Sequence, residues 1–331
     1  MTTITDKHTS LLEIDGLRIS LGTKYNRRQI IRGFDLTVEK GEIVGILGES
    51  GSGKTVSSRM IARLFEENES AVDSGSVLFK GKNIIGMKED EINNIRGREI
   101  SYVFQNPAMS LNPYKRISRQ LKDFLETHGI EYIVEEIIDS LRVVGIDRPK
   151  TVLEMYPFQL SGGQNQRIMI CQAILAKPDL LIADEPTSSI DAMLRKKILD
   201  LLIDVNRSLG TAILFITHDF DVAKYICSKL VIMYGGLVVE QGPVERIMHR
   251  PMHPYTEELI KCAESLDKGE SRLYSLEGSP LVPSDFRDEC PFVSRCRYSI
   301  ESCYERIPDA ISLKSGSSRC PVRVEMEAND E

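Results

Sequence analysis

The chain has 331 residues, with 42 Lys and Arg against 49 Asp and Glu, for a formal net charge of −7. Hydrophobic residues make up 41 %, enough to fill a large core, so a disordered chain is excluded. The acidic balance argues against nucleic acid as main partner, and no run of about 18 apolar residues is long enough to span a membrane.

Leu11–Leu21 and Ile30–Val38 read as strands joined by a polar turn around Thr23–Arg28. Glu42–Leu47 is a short apolar run ending in glycine-rich sequence. This pattern predicts a buried parallel strand feeding a loop and a helix over Lys54–Phe65. Ser76–Phe79 and Ile100–Phe104 look like further strands. Across Tyr114–Val144, Ile117, Leu121, Phe124, Leu125, Val134, Ile137, Ile138 and Leu141 recur at helical steps. After Pro157 an alternation resumes: helix Gly162–Ala176, strand Leu180–Ala183, helix Met193–Leu209, strand Thr211–Ile216 and helix Asp219–Ile226. Strands Leu230–Tyr234 and Leu237–Glu240 follow, then one or two helices through about Ser265 and a polar linker to about Arg287. Strands alternating with helices predict a parallel sheet covered on both faces, with Tyr114–Val144 as an inserted helical subdomain.

The start Met1–His8 has no apolar stretch behind a basic one, so no export signal is expected and the compartment is read as reducing. Of the seven cysteines, Cys171, Cys227 and Cys262 lie in apolar periodic segments and read as small buried hydrophobes. Cys290, Cys296, Cys303 and Cys320 cluster near the C-terminus, and in a reducing compartment such a cluster reads as metal binding before disulfides. The spacing C-x5-C-x6-C-x16-C fits none of the common CxxC zinc patterns. A tail of so few aliphatic side chains cannot close a good core alone, which favours a metal staple.

Gly48-Glu-Ser-Gly-Ser-Gly-Lys-Thr55 satisfies G-x-x-x-x-G-K-[ST] between a strand and a helix. Gly48, Ser50, Gly51, Ser52 and Gly53 would turn backbone N–H groups onto phosphates, Lys54 would add a point charge, and Thr55 would ligate Mg²⁺. The chain is therefore expected to bind a nucleoside triphosphate. Leu180–Asp184 is an apolar strand ending in an acid, followed directly by Glu185. Asp184 would hold Mg²⁺ through water and Glu185 would polarise the attacking water.

With Leu160-Ser-Gly-Gly-Gln164 in place, the chain resembles the ATP-binding subunits of ABC transporters over residues 11–265. The resemblance implies a P-loop ABC ATPase fold: an α/β mixed sheet core with an antiparallel β subdomain and a helical subdomain at about 106–165. A linker and small Cys-rich extension would occupy 266–331. It implies that each ATP is shared between the phosphate loop of one unit and Ser161, Gly162, Gly163 and Gln164 of another. Physically, those residues open a helix and present bare amides to an anion. Gln105 matches a glutamine that senses the γ-phosphate and Mg²⁺, His218 a switch histidine that supports Glu185, and Ser188–Asp191 a loop crossing the dimer interface. Leu21 stands where the family usually has an aromatic residue against adenine; Tyr25 is the substitute expected here.

Gln105–Pro113 and Arg250-Pro-Met-His-Pro-Tyr-Thr256 resemble the ATPases of dipeptide, oligopeptide and nickel importers. With Met109, the chain is more similar to the first than the second of two such ATPases. Some members of this branch hold a 4Fe–4S cluster, which the resemblance implies as one option for the four cysteines. Zinc and unmetallated thiols stay open. The resemblance further implies two permease subunits, a second ATPase (identical or sister), an extracytoplasmic solute-binding protein and no nucleic acid. The expected location is peripheral, on the cytoplasmic face of the bacterial inner membrane. A soluble ABC ATPase of DNA repair or translation is disfavoured by a single set of motifs and no heptad tract, and an exporter by the importer-like tail.

Overall fold

The computed structural model describes residues 10–65, 69–106, 110–188, 192–267 and 274–330. Met109 and Ser189–Asp191, singled out above, lie outside the described residues. The strands in chain order are β1 (Leu12–Leu21), β2 (Arg28–Val38), β3 (Ile43–Leu47), β4 (Ser70–Phe79), β5 (Lys82–Asn83) and β6 (Ile100–Val103). They continue as β7 (Leu180–Asp184), β8 (Ala212–Ile216), β9 (Lys229–Tyr234), β10 (Leu237–Pro243), β11 (Ile311–Leu313) and β12 (Gly316–Ser318).

The sheet runs β5-β4-β1-β2-β10-β9-β3-β8-β7-β6. From β9 to β6 the pairings are parallel, whereas β5, β4, β1 and β2 form an antiparallel arm. Every residue of β3, β7 and β8 is buried, as continuous apolar runs require when both faces of a parallel sheet are covered. Alternation sorts them: Ile43, Leu47, Leu181, Ala183, Ile213 and Phe215 join the core on one side. Val44, Ile46, Leu180, Ile182, Leu214 and Ile216 join the core on the other.

Several elements depart from expectation: the helix expected over Lys54–Phe65 ends at Ile61, and the β11–β12 hairpin has no counterpart in the sequence pattern. β4 begins at Ser70, six residues ahead of the predicted strand, because the polar stretch Ser70–Gly75 pairs along β1 (Leu21 opposite Ser70). Cross-strand pairing overrides its weak apolar pattern. The predicted span Tyr114–Val144 divides into helices Ile117–Thr127 and Val134–Val143, followed by Pro149–Leu153. The chain turns between the first two at His128–Ile133, and Ile117, Leu121, Leu125, Ile137, Ile138 and Leu141 are buried as their spacing predicted.

The C-terminal segment is wired into the main sheet. β12 adds antiparallel to β10, with Glu240 opposite Ser318. Cys290, Phe292, Val293 and Cys303 belong to the same apolar cluster as β3 and β8. A segment poor in aliphatics thus borrows a core, which answers the deficit that the sequence suggested a metal would fill. Cys171 and Cys227 are buried as expected, whereas Cys262 is only half-buried. Among the described residues no helix is long and apolar enough to cross a membrane.

Candidate functional site

The phosphate loop leaves β3 at Leu47 and enters the helix Lys54–Ile61. Two positions require glycine. A Cβ on Gly48 (φ 154) would sit 2.2 Å from the Met233 carbonyl oxygen, and one on Gly53 (φ 105) 2.5 Å from Ile31 Cδ1. Lys54 is buried and folds back on the loop, with Nζ donating to the carbonyls of Gly48 (2.7 Å) and Glu49 (2.9 Å). Burial lowers its pKa, opposed by the charges of Glu185, Asp184 and Glu49.

The acids of β7 stand beside this lysine. Asp184 is 3 % exposed; its Oδ1 accepts from Thr55 Oγ1 at 3.3 Å and its Oδ2 from the Tyr102 hydroxyl at 2.9 Å. Desolvation raises its pKa, and the hydrogen bonds from Tyr102 and Thr55 resist that rise. The Tyr102 hydroxyl also meets Ser58 Oγ at 2.9 Å. Thr55 and Asp184 supply hard oxygen donors of the kind Mg²⁺ takes when phosphates complete its shell.

Glu185 is held from both sides. Its Oε2 accepts from Gln105 Nε2 at 2.9 Å and its Oε1 meets His218 Nδ1 at 3.2 Å. Its backbone is left-handed (φ 46), a conformation that costs a non-glycine residue free energy and recurs at functional sites. That conformation is pinned because Glu185 N–H donates to the Ile216 carbonyl, while its own carbonyl accepts from Ser188 N–H and Oγ.

The structure therefore brings Lys54, Thr55, Gln105, Asp184, Glu185 and His218 together. It does not bring Ser161–Gln164 to them. Ser161 caps the helix Gly162–Leu175 in a reciprocal box with Gln164. Ser161, Gly163 and Gln164 line a separate cavity of ≈ 530 Å³ with Arg148, Arg167 and Leu194, and no phosphate-loop residue borders it. Tyr25 stands 95 % exposed in the turn between β1 and β2. Sequence reasoning missed Tyr102 and Ser58. Tyr102 lies on a strand named only for its glutamine, and nothing in its spacing marked its hydroxyl for Asp184.

Cys290, Cys296, Cys303 and Cys320 line one cavity in company with His253 and Phe292. Their donor set suits four-thiolate metal coordination, but the side chains leave ≈ 10 Å³ of free space between them, about one water's room. Among the described residues no three Cys, His, Asp or Glu side chains gather as a metal site. Burial pushes the Cys290 thiol up to about 12 and Cys320 to about 11.

Two family models match the chain: "ABC transporter" over residues 31–188, and "Oligopeptide/dipeptide transporter, C-terminal region" over 239–303. The oligopeptide transport ATP-binding protein OppD of Bacillus subtilis is 36 % identical over 304 residues, covering 91 % of this chain and 85 % of that protein. OppD of Salmonella typhimurium is 36 % identical over 301 residues, covering 90 % and 89 %. The protein AppD of Bacillus subtilis, also an oligopeptide transport ATP-binding protein, is 34 % identical over 316 residues, covering 94 % and 96 %. A solved dimeric ATP-binding cassette, in a post-hydrolysis state bound to ADP and Pi, shares the fold. Its TM-score is 0.62 at 24 % identity, over 70 % of this chain and 98 % of that one. The phosphate loop, the acid pair and the C-terminal region together carry the assignment: this chain belongs to the ABC transporter ATPases, with the C-terminal region of the oligopeptide and dipeptide branch.

Proposed function

We propose that the chain hydrolyses ATP to power import of dipeptides, oligopeptides or related solutes such as nickel complexes, as a peripheral subunit on the cytoplasmic face of the bacterial inner membrane. The observation that carries the ATPase reading is Glu185, strained and held between Gln105 and His218, one residue from an Asp184 bonded to Thr55. The peptide branch rests on the match over 239–303 and on the names of the relatives.

In this reading the amides of Gly48, Ser50, Gly51, Ser52 and Gly53 and the side chain of Lys54 hold the phosphates, and Tyr25 is the adenine contact. Thr55, Asp184 and Gln105 would hold Mg²⁺, which neutralises phosphate charge when bound. Glu185 takes the proton of the attacking water, while Gln105 and His218 keep its carboxylate in place. The ATPase unit spans 1–265, with a helical subdomain at about 106–165, and 266–331 forms the linker and Cys-rich extension. Ser161–Gln164 complete the site of a second copy or sister ATPase, since they border no phosphate-loop residue of their own chain. Closure of the pair then moves two permease subunits, supplied from outside by a solute-binding protein. Cys290, Cys296, Cys303 and Cys320 would hold a 4Fe–4S cluster, or zinc as the alternative, as a cross-link within the extension. Metal and sulfide content of anaerobically purified protein separates the two.

The experiment is a pull-down of tagged Glu185→Gln from native membranes with ATP and Mg²⁺, with partners identified by mass spectrometry. Two permease subunits, with a second ATPase and a solute-binding protein, are the expected recovery. Recovery with ribosomes or DNA in the soluble fraction, and no permease, refutes the transport reading.

A further inference from the structure

Glu49 is a free position in the phosphate-loop pattern, yet every polar atom it has is engaged. Its N–H donates to the Tyr255 hydroxyl at 2.8 Å. Its carbonyl accepts from Lys54 Nζ and from the N–H of Ser52. Its two carboxylate oxygens receive the two arms of Arg295, Nη1 at 2.8 Å and Nη2 at 3.2 Å. Tyr255 and Arg295 both belong to the C-terminal region, more than 200 positions along the chain.

The clamp is itself built. The Arg295 side chain is 5 % exposed and that of Glu49 22 %, so the pair is largely withdrawn from water, where a bidentate contact is strongest. Arg295 Nε donates to the Glu277 carbonyl at 2.8 Å, and Nη1 also to the Tyr234 hydroxyl at 3.1 Å. Its guanidinium lies 5.8 Å from the ring centres of both Tyr234 and Phe292. Tyr255 is fully buried against the same two rings, at 4.5 and 5.4 Å. The turn Val293–Arg295 sits between Cys290 and Cys296, so the clamp belongs to the same loop as the thiols.

A carboxylate at this place is otherwise a liability. It adds negative charge next to a loop that must attract a polyphosphate, and Lys54 already feels it. Arg295 cancels that charge, and with Tyr255 it fixes the entering limb of the loop from behind. We propose that Arg295 and Tyr255 are positioning residues for ATP. They act through Glu49, so the C-terminal region of this chain sets the affinity of its own phosphate loop. This rests on the ATP-binding reading of that loop.

The test measures ATP affinity by titration, and KM and kcat for hydrolysis, on full-length protein. Wild type and Lys54→Ala serve as controls; failure of the wild type to bind ATP would overturn the loop's assignment itself. Given wild-type binding, Arg295→Gln is expected to weaken ATP binding about tenfold, the equivalent of one lost charge-assisted contact, with the change falling on KM more than kcat. Adding Glu49→Gln to that variant removes the orphaned carboxylate and should recover affinity to within about threefold of wild type. A purely structural role for Arg295 predicts no such recovery. Tyr255→Phe keeps the ring and deletes only the hydroxyl; it decides the matter if Arg295→Gln does not fold, with an expected loss of about threefold or more. ATP affinity within twofold of wild type for Arg295→Gln or, failing that, for Tyr255→Phe overturns the proposal, as does a double variant no better than the single.

Discussion

Glu185→Gln separates the proton acceptor from the geometry that holds it. The amide keeps one oxygen for Gln105 Nε2 and turns its NH2 toward His218 Nδ1, so both contacts at 2.9 and 3.2 Å can persist. The left-handed backbone is retained too, because it is held by the Ile216 carbonyl and by Ser188 rather than by the carboxylate. ATP affinity is therefore expected to stay within about twofold, while hydrolysis loses the contribution of a positioned general base. That contribution is roughly 10²–10⁴-fold, or about 3–5.5 kcal/mol of barrier. Phosphate release at saturating ATP and Mg²⁺, with nucleotide affinity and light-scattering mass measured in parallel, reads all three quantities. The expected result is slow hydrolysis with ATP retained in a dimer. Hydrolysis at the wild-type rate refutes Glu185 as the acceptor. Loss of affinity in step with rate refutes the argument that its geometry survives the substitution.

Glu240, fully buried on β10, accepts from the backbone N–H groups of Met252 (2.9 Å) and His253 (3.0 Å) and pairs with Arg246. Glu240→Ala orphans all three donors and should cost about 3–5 kcal/mol in urea unfolding. His253 is buried, accepts the Tyr255 N–H on Nδ1 and has its pKa lowered to about 3 by desolvation. A lowered folded pKa means that stability is present above the unfolded value near 6.5 and is lost as pH falls below it. At pH 5 the loss is about 2 kcal/mol, and a His253→Gln variant should flatten that slope in denaturation midpoints. Cys290 and Cys320 are buried, so maleimide at pH 7 should label them far more slowly in the native protein than in urea. If a second copy completes each site, hydrolysis per chain should rise with protein concentration until dimers saturate. A flat specific rate for a monodisperse monomer would contradict that requirement.

Most of the candidate site's geometry was legible because its residues follow strands. Asp184, Glu185, Gln105 and His218 each lie at or just beyond the end of a buried parallel strand, so β6, β7 and β8 in register deliver them to one edge. Apolar runs of four or five residues reveal such strands without any alignment. What escaped were contacts fixed by side-chain reach across distant sequence: Tyr102 to Asp184, Ser58 to Tyr102, and Arg295 to Glu49. The His-Pro-Tyr stretch carried a family signal in the sequence, but nothing in its spacing showed that the Tyr255 hydroxyl reaches the Glu49 N–H. The β11–β12 hairpin was invisible for a related cause. Its residues are polar and few, and β12 exists as a strand through its pairing with β10.

The site's parts differ in how they are held, and the difference bears on how the protein works. Asp184 and Glu185 are fixed by the central sheet, and the entering limb of the phosphate loop is fixed by the C-terminal region. Ser161–Gln164 are carried instead by a helix that starts at the helical subdomain, beside Arg148 and Gly145. Arg167, on that helix, donates to the Gly145 carbonyl at 2.6 Å, and Asn165 to the Pro157 carbonyl at 2.9 Å. The capped end of the helix is thus tied to its own subdomain rather than to the phosphate loop. In the proposed dimer, the half-site at the phosphate loop and the separately carried helix end at Ser161 would meet between two chains. ATP would then bridge two parts that a single chain holds apart, and its hydrolysis would release them.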